Sequence, residues 1–89
     1  MVYITHIRTA SGNSNEHITH VRWLQPDNNQ VGESSIPTMV DWIDHKGGIA
    51  KVKEGNRIVD VGVVHADPPY LRTHADGTWT NNLLALPRF

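Results

Sequence analysis

Six side chains carry most of the recognition chemistry in this chain: His6, Arg8, His20, Arg22, Arg72 and Trp79. The first four belong to two near-copies of one phrase, Ile4-Thr5-His6-Ile7-Arg8 and Ile18-Thr19-His20-Val21-Arg22. Guanidinium groups bind phosphate, carboxylate and aromatic faces, while imidazole and indole supply stacking surfaces. If both phrases are extended, a period of two places Ile4, His6 and Arg8 on one side, together with Ile18, His20 and Arg22. The result is a stripe, apolar at one end and cationic at the other. Tyr70, Arg72, Trp79 and Arg88 extend it if the C-terminal segment crosses the same face. Such a stripe suits a protein partner or a nucleic acid. A purely structural reading competes at each point: the tryptophans as core, and Arg72 paired with Asp76 or Asp67 to pin the tail.

Other chemistries are poorly supported. Six histidines raise the question of metal, since His17, His20 and a cross-strand His6, or two of them with Asp76, would make a ligand set for Zn²⁺ or Ni²⁺. However, residues i and i+3 of a strand face opposite sides, so His17 and His20 converge only through a bulge. The expectation is no metal and no cofactor. Ser11, Ser14, Ser34 and Ser35 occupy loop or cap positions outside any nucleophile elbow. Asp76 with His74 is the one local acid–base pair, and Asp76-Gly77 reads first as a turn. Nothing assembles a nucleophile, a base and an oxyanion site, so the chain is expected not to be an enzyme.

The composition narrows the partners. Lys plus Arg number 8 against 9 Asp plus Glu, a formal charge of −1. Near-neutrality weakens a general nucleic-acid reading, because phosphate binding draws on clustered cations. There is no cysteine, so disulfides and thiolate metal sites are excluded. The start Met-Val-Tyr-Ile-Thr-His lacks the regions of a signal peptide, and no apolar run approaches the roughly 18 residues that span a bilayer. These features predict a soluble, cytoplasmic protein of one domain, residues 1–89.

The elements that must position the stripe follow from pattern. Val2–Arg8 and His17–Leu24 are β-branched and aromatic, and the polar Ser11–Asn15 cluster between them predicts an antiparallel hairpin. Tyr3, Thr5 and Ile7, with Thr19, Val21 and Trp23, form its expected core face. Residues 25–33 read as a turn-rich connection. Ile36, Met39, Val40 and Ile43 recur at helical spacing behind a Ser35 cap, with Pro37 in the first turn and Gly47 as the stop. A second hairpin joins Ile49–Lys53 to Arg57–His65, with Val59, Val61 and Val63 inward. The order β-β-α-β-β plus a C-terminal segment predicts an α+β domain, one short helix on a small antiparallel sheet.

The C-terminal block contains Tyr70-Leu71-Arg72-Thr73, Ala75-Asp76-Gly77-Thr78 and Asn82-Leu83-Leu84-Ala85-Leu86-Pro87. Together with Glu16-His17-Ile18-Thr19, Trp23 and Met39-Val40-Asp41-Trp42-Ile43, it resembles a family of small bacterial and phage-encoded proteins, domain of unknown function 3892. Asn81 stands where such sequences often carry an Asp. The resemblance implies a small stand-alone domain, compatible with a modulator of a host or defence system, and transfers no catalytic residue. The block itself reads as a clasp, with Asp76-Gly77 turning the chain and the leucines and Trp79 docking it. The functional expectation is a small non-enzymatic module that binds another protein, with homodimerisation as one form of that binding. A nucleic-acid platform on the Arg/His/aromatic face is the alternative, and a small-ligand or metal-binding domain the next.

Overall fold

The computed structural model describes all 89 residues, Met1–Phe89. Seven strands, β1 (Val2–Thr9), β2 (Ile18–Gln25), β3 (Gln30–Ser35), β4 (Ala50–Glu54), β5 (Arg57–Val64), β6 (Tyr70–Ala75) and β7 (Thr78–Thr80), lie in one sheet, and α1 (Ile36–His45) connects β3 to β4. Their spatial order is β3-β2-β1-β4-β5-β6-β7. All neighbours are antiparallel except β1 and β4, which run parallel because the helix carries the chain from one edge back to the middle. The α+β class with one helix is as expected. Three strands, β3, β6 and β7, go beyond the expected four.

Local chemistry explains the helix. The Ser35 side chain accepts from the Thr38 amide at 3.4 Å, and Pro37 sits in the first turn, where no amide hydrogen is needed. Gly47 adopts a φ of +67°, reversing the chain, and the Gly48 amide donates to the Trp42 carbonyl at 2.9 Å. Ile36, Met39 and Val40 are buried against the sheet, the stripe that the spacing predicts.

The first hairpin departs from simple alternation. The pairing jumps from Ile4↔Trp23 to His6↔Arg22, and again from Arg8↔His20 to Thr9↔Ile18. Thr5 and Thr19 are the extra residues at these irregularities. Each shifts the side-chain phase by one. Val2, Ile4 and Ile7 are therefore all buried on β1, and Ile18 and Val21 on β2. The expected core set is corrected accordingly: Ile7 and Val21 are in it, whereas Tyr3, Thr5 and Thr19 are only half-buried and Ile4 and Ile18 replace them.

β3 was hidden by its composition. Gln-Val-Gly-Glu-Ser-Ser has no apolar alternation, yet it pairs with β2 in unbroken register from Gln25↔Gln30 to His20↔Ser35. Gly32 makes this possible, because a Cβ there would lie 2.2 Å from the Trp23 ring. The indole covers the bare glycine across the strand pair. In the second half of the sheet, Val59, Val61 and Val63 point inward as expected and meet Val52, Leu71 and the core of fifteen apolar residues.

The tail is built in. Asp76 and Gly77, at φ +53° and +77°, make the two-residue turn between β6 and β7. Beyond β7, a 3₁₀ turn at Asn82–Ala85 buries Leu83 completely. The buried Thr73 hydroxyl accepts from Thr80 Oγ1 at 2.8 Å and from the Asn82 amide at 3.0 Å. The chain then returns to β1. β4 pairs with β1 only at Val2 and Tyr3, which leaves the rest of that edge open. Pro87–Phe89 fills it: the Ile7 amide donates to the Pro87 carbonyl at 3.0 Å, and the Phe89 amide to the Ile7 carbonyl at 3.1 Å. No helix is long and apolar enough to cross a membrane.

Candidate recognition face

The bulged hairpin turns the twice-written phrase into two matching half-sites. In one, the Thr5 hydroxyl donates to the Arg22 carbonyl at 3.3 Å and His6 Nδ1 lies 2.9 Å from the same hydroxyl. In the other, the Thr19 hydroxyl donates to the Arg8 carbonyl at 3.3 Å and His20 Nδ1 lies 3.0 Å from it. In each half-site one threonine hydroxyl thus bridges a main-chain carbonyl and an imidazole Nδ1. The register crosses the phrases, His6 opposite Arg22 and Arg8 opposite His20, about Ile7↔Val21.

Both arginines converge on the tail. The Arg8 and Arg22 guanidinium carbons lie 4.5 Å and 4.3 Å from the Phe89 ring centre, and the His6 ring meets that ring edge-on at 6.5 Å. Arg8 Nε also donates to the Phe89 backbone oxygen at 3.1 Å. Arg22 Nε faces Glu33 Oε1 at 3.4 Å, an exposed pair. A shallow depression of about 400 Å³ continues from Thr5, His6 and Arg22 to Trp23, Gly32, Glu33 and the well-exposed Val31 at the sheet edge.

Arg72 and Trp79 stand elsewhere. β6 lies three strand positions from β1, and Arg72 is occupied there: its Nε donates to the Thr80 carbonyl at 3.1 Å and its Nη2 to Asn81 Oδ1 at 3.0 Å. It pins β7, with Thr80 and Asn81 as partners in place of Asp76 or Asp67. Trp79 is 43% exposed and sits edge-on to His74 at 5.5 Å, over Gly62, so it is a surface stack and neither core nor clasp. Beside it, Lys51 Nζ bonds Asp60 at 2.9 Å and holds its carboxyl below the usual value; partial burial opposes the shift, and the charges of Lys51 and His74 reinforce it.

The other histidines have local partners. His17 Nδ1 meets Ser14 Oγ at 2.6 Å, His45 meets Asp41 at 3.2 Å and His65 meets Asp44 at 2.9 Å. No three His, Asp or Glu side chains stand at metal-holding range. Sequence reasoning missed Phe89 as the hub of the face. The signal was present, an aromatic following Pro87-Arg88 beyond a leucine cluster, but its destination depends on the gap between β1 and β4.

A family model described as protein of unknown function (DUF3892) matches residues 3–87. The chain belongs to that family. The match runs from β1 to the start of the tail segment, so DUF3892 membership takes in both copies of the Ile-Thr-His-x-Arg phrase and the buried clasp, with Arg88 and Phe89 just past it. No curated protein and no solved structure matches the chain.

Proposed function

We propose that this DUF3892 chain is a small, non-enzymatic, cytoplasmic interaction module that binds an extended segment of another protein on its β1–β2 face. The observation that carries the reading is the docking of Pro87–Phe89. The face takes an extended segment by backbone hydrogen bonds at Ile7 and clamps its aromatic with Arg8, Arg22 and His6. Edge addition plus a side-chain pocket is a recurring mode of peptide recognition. A second copy of the chain is one such partner, through the same face or through β3, an edge strand with no lysine, proline or bulge to blunt it.

Nucleic-acid binding is the weaker reading. Arg8, Arg22, Arg72 and Arg88 all direct guanidinium donors to oxygens of this same chain. The test is capture from a nuclease-treated bacterial lysate by the wild type and by the Arg8→Ala/Arg22→Ala double variant. A protein retained by the wild type and lost by a folded double variant supports the proposal. Capture that disappears with nuclease, or that ignores both substitutions, refutes it.

A further inference from the structure

A second concavity, bordering the first at Trp23, lies where the flank of α1 faces the β1–β2–β3 corner. It has a volume of about 720 Å³, inside the range of small-molecule sites. Trp23 lines it from the sheet and Trp42 from the helix. Each indole is seated on a glycine that admits no side chain: a Cβ on Gly32 would lie 2.2 Å from the Trp23 ring, and one on Gly48 2.1 Å from the Trp42 ring. Trp23 Nε1 is further fixed by donation to Ser34 Oγ at 3.1 Å. These are preorganised aromatic walls, and ordering them costs a ligand little.

The remaining lining is mixed: Met1, Val2, Pro37 and Met39 add apolar surface to a polar set whose side-chain charges are paired. Gln25, Ser34, Thr38, Asp41 and Lys46 face the space. Asp41 and Lys46 neutralise one another at 3.3 Å. Ser34 Oγ accepts from Trp23 and Thr38 Oγ1 accepts from Ser35, so both hydroxyl hydrogens are available to donate. The Gln25 amide has no side-chain partner within the chain and offers both a donor and an acceptor. A site with π faces, apolar contacts, a paired Asp41–Lys46 and hydrogen-bonding capacity of both senses complements a ring with C–H faces and a hydroxylated edge. We infer that the Trp23–Trp42 groove is a binding site for a neutral saccharide.

The groove uses neither Arg8, Arg22 nor Phe89, and it shares only Trp23 with the depression beside His6 and Arg22, so Trp42 and Gln25 report on it alone. Tryptophan fluorescence reads it directly, because two of the three indoles line it and Trp79 lies on distant β7. The full chain is titrated with maltotriose, with chitotriose and, as a counter-probe, with adenosine, each to tens of millimolar. A saturable emission change with a saccharide is expected, weakened about tenfold or more in Trp42→Ala and in Gln25→Ala, and unchanged in Trp79→Ala. Gln25→Ala removes no internal hydrogen bond, so it keeps the test decisive if Trp42→Ala fails to fold. Saturation by adenosine alone, no saturation by either saccharide, or full affinity in Gln25→Ala would overturn the assignment.

Discussion

The guanidinium carbon of Arg22 lies 4.3 Å from the centre of the Phe89 ring, so the second strand of the sheet and the far end of the chain meet face to face. Arg8 approaches the same ring at 4.5 Å. Each exposed cation–π contact is worth about 0.5–1 kcal/mol. Phe89→Ala is therefore expected to lower unfolding free energy by about 1–2 kcal/mol in urea titration, and Phe89→Trp to retain most of it. Equal stability of Phe89→Ala and wild type would mean that the ring is not held by the arginines.

Gly32→Ala tests the seat of Trp23. The added methyl would lie 2.2 Å from the indole, across the paired residues Trp23↔Gly32, so the ring must leave its place. A loss of about 1–3 kcal/mol is expected, with a red shift of tryptophan emission as the indole meets water. A variant as stable as wild type, with unshifted emission, would contradict the packing.

Leu83→Ala tests the clasp. Leu83 is fully buried, and its truncation should cost about 2–5 kcal/mol by thermal or urea unfolding. Truncation after Pro69 removes buried Leu71 and Thr73 as well and should abolish the cooperative transition.

Asp60 sets a small acid dependence. Its carboxyl is held below the usual value, chiefly by the Lys51 hydrogen bond, so the folded value lies under the unfolded one. The stabilisation is present above the unfolded-state pKa of about 3.9 and fades as pH falls through the folded value. The side chain is more than half exposed, and solvent screening keeps the contribution below about 1 kcal/mol. Asp60→Asn should thus be slightly less stable than wild type at neutral pH, with the difference vanishing once the wild-type carboxyl is protonated in acid.

The sequence disclosed what local patterning controls. The helix with its Ser35 cap and Gly47 stop, the Asp76-Gly77 turn, and the inward Val59, Val61 and Val63 are each dictated by neighbours within a few residues. What it concealed depends on distant partners. β3 is a strand because β2 offers it a full ladder and Trp23 shields Gly32, and nothing in Gln-Val-Gly-Glu-Ser-Ser announces this. The bulges at Thr5 and Thr19 look like ordinary β-branched positions, yet they reverse which residues face the core. Four of the six candidate recognition residues fall together on one hairpin. Arg72 and Trp79 depend on strand order, which the period of two does not encode.

The central claim is that the β1–β2 face recognises an aromatic carried on an extended segment. It is tested most directly by a chain ending at Leu86, which keeps buried Leu83, titrated calorimetrically with a peptide of sequence Leu-Ala-Leu-Pro-Arg-Phe. The account predicts saturable binding, weakened about tenfold or more when the peptide ends in Ala or when Arg8 and Arg22 are both Ala. Equal affinity for the Phe- and Ala-ended peptides, or no binding by the folded truncated chain, would contradict it.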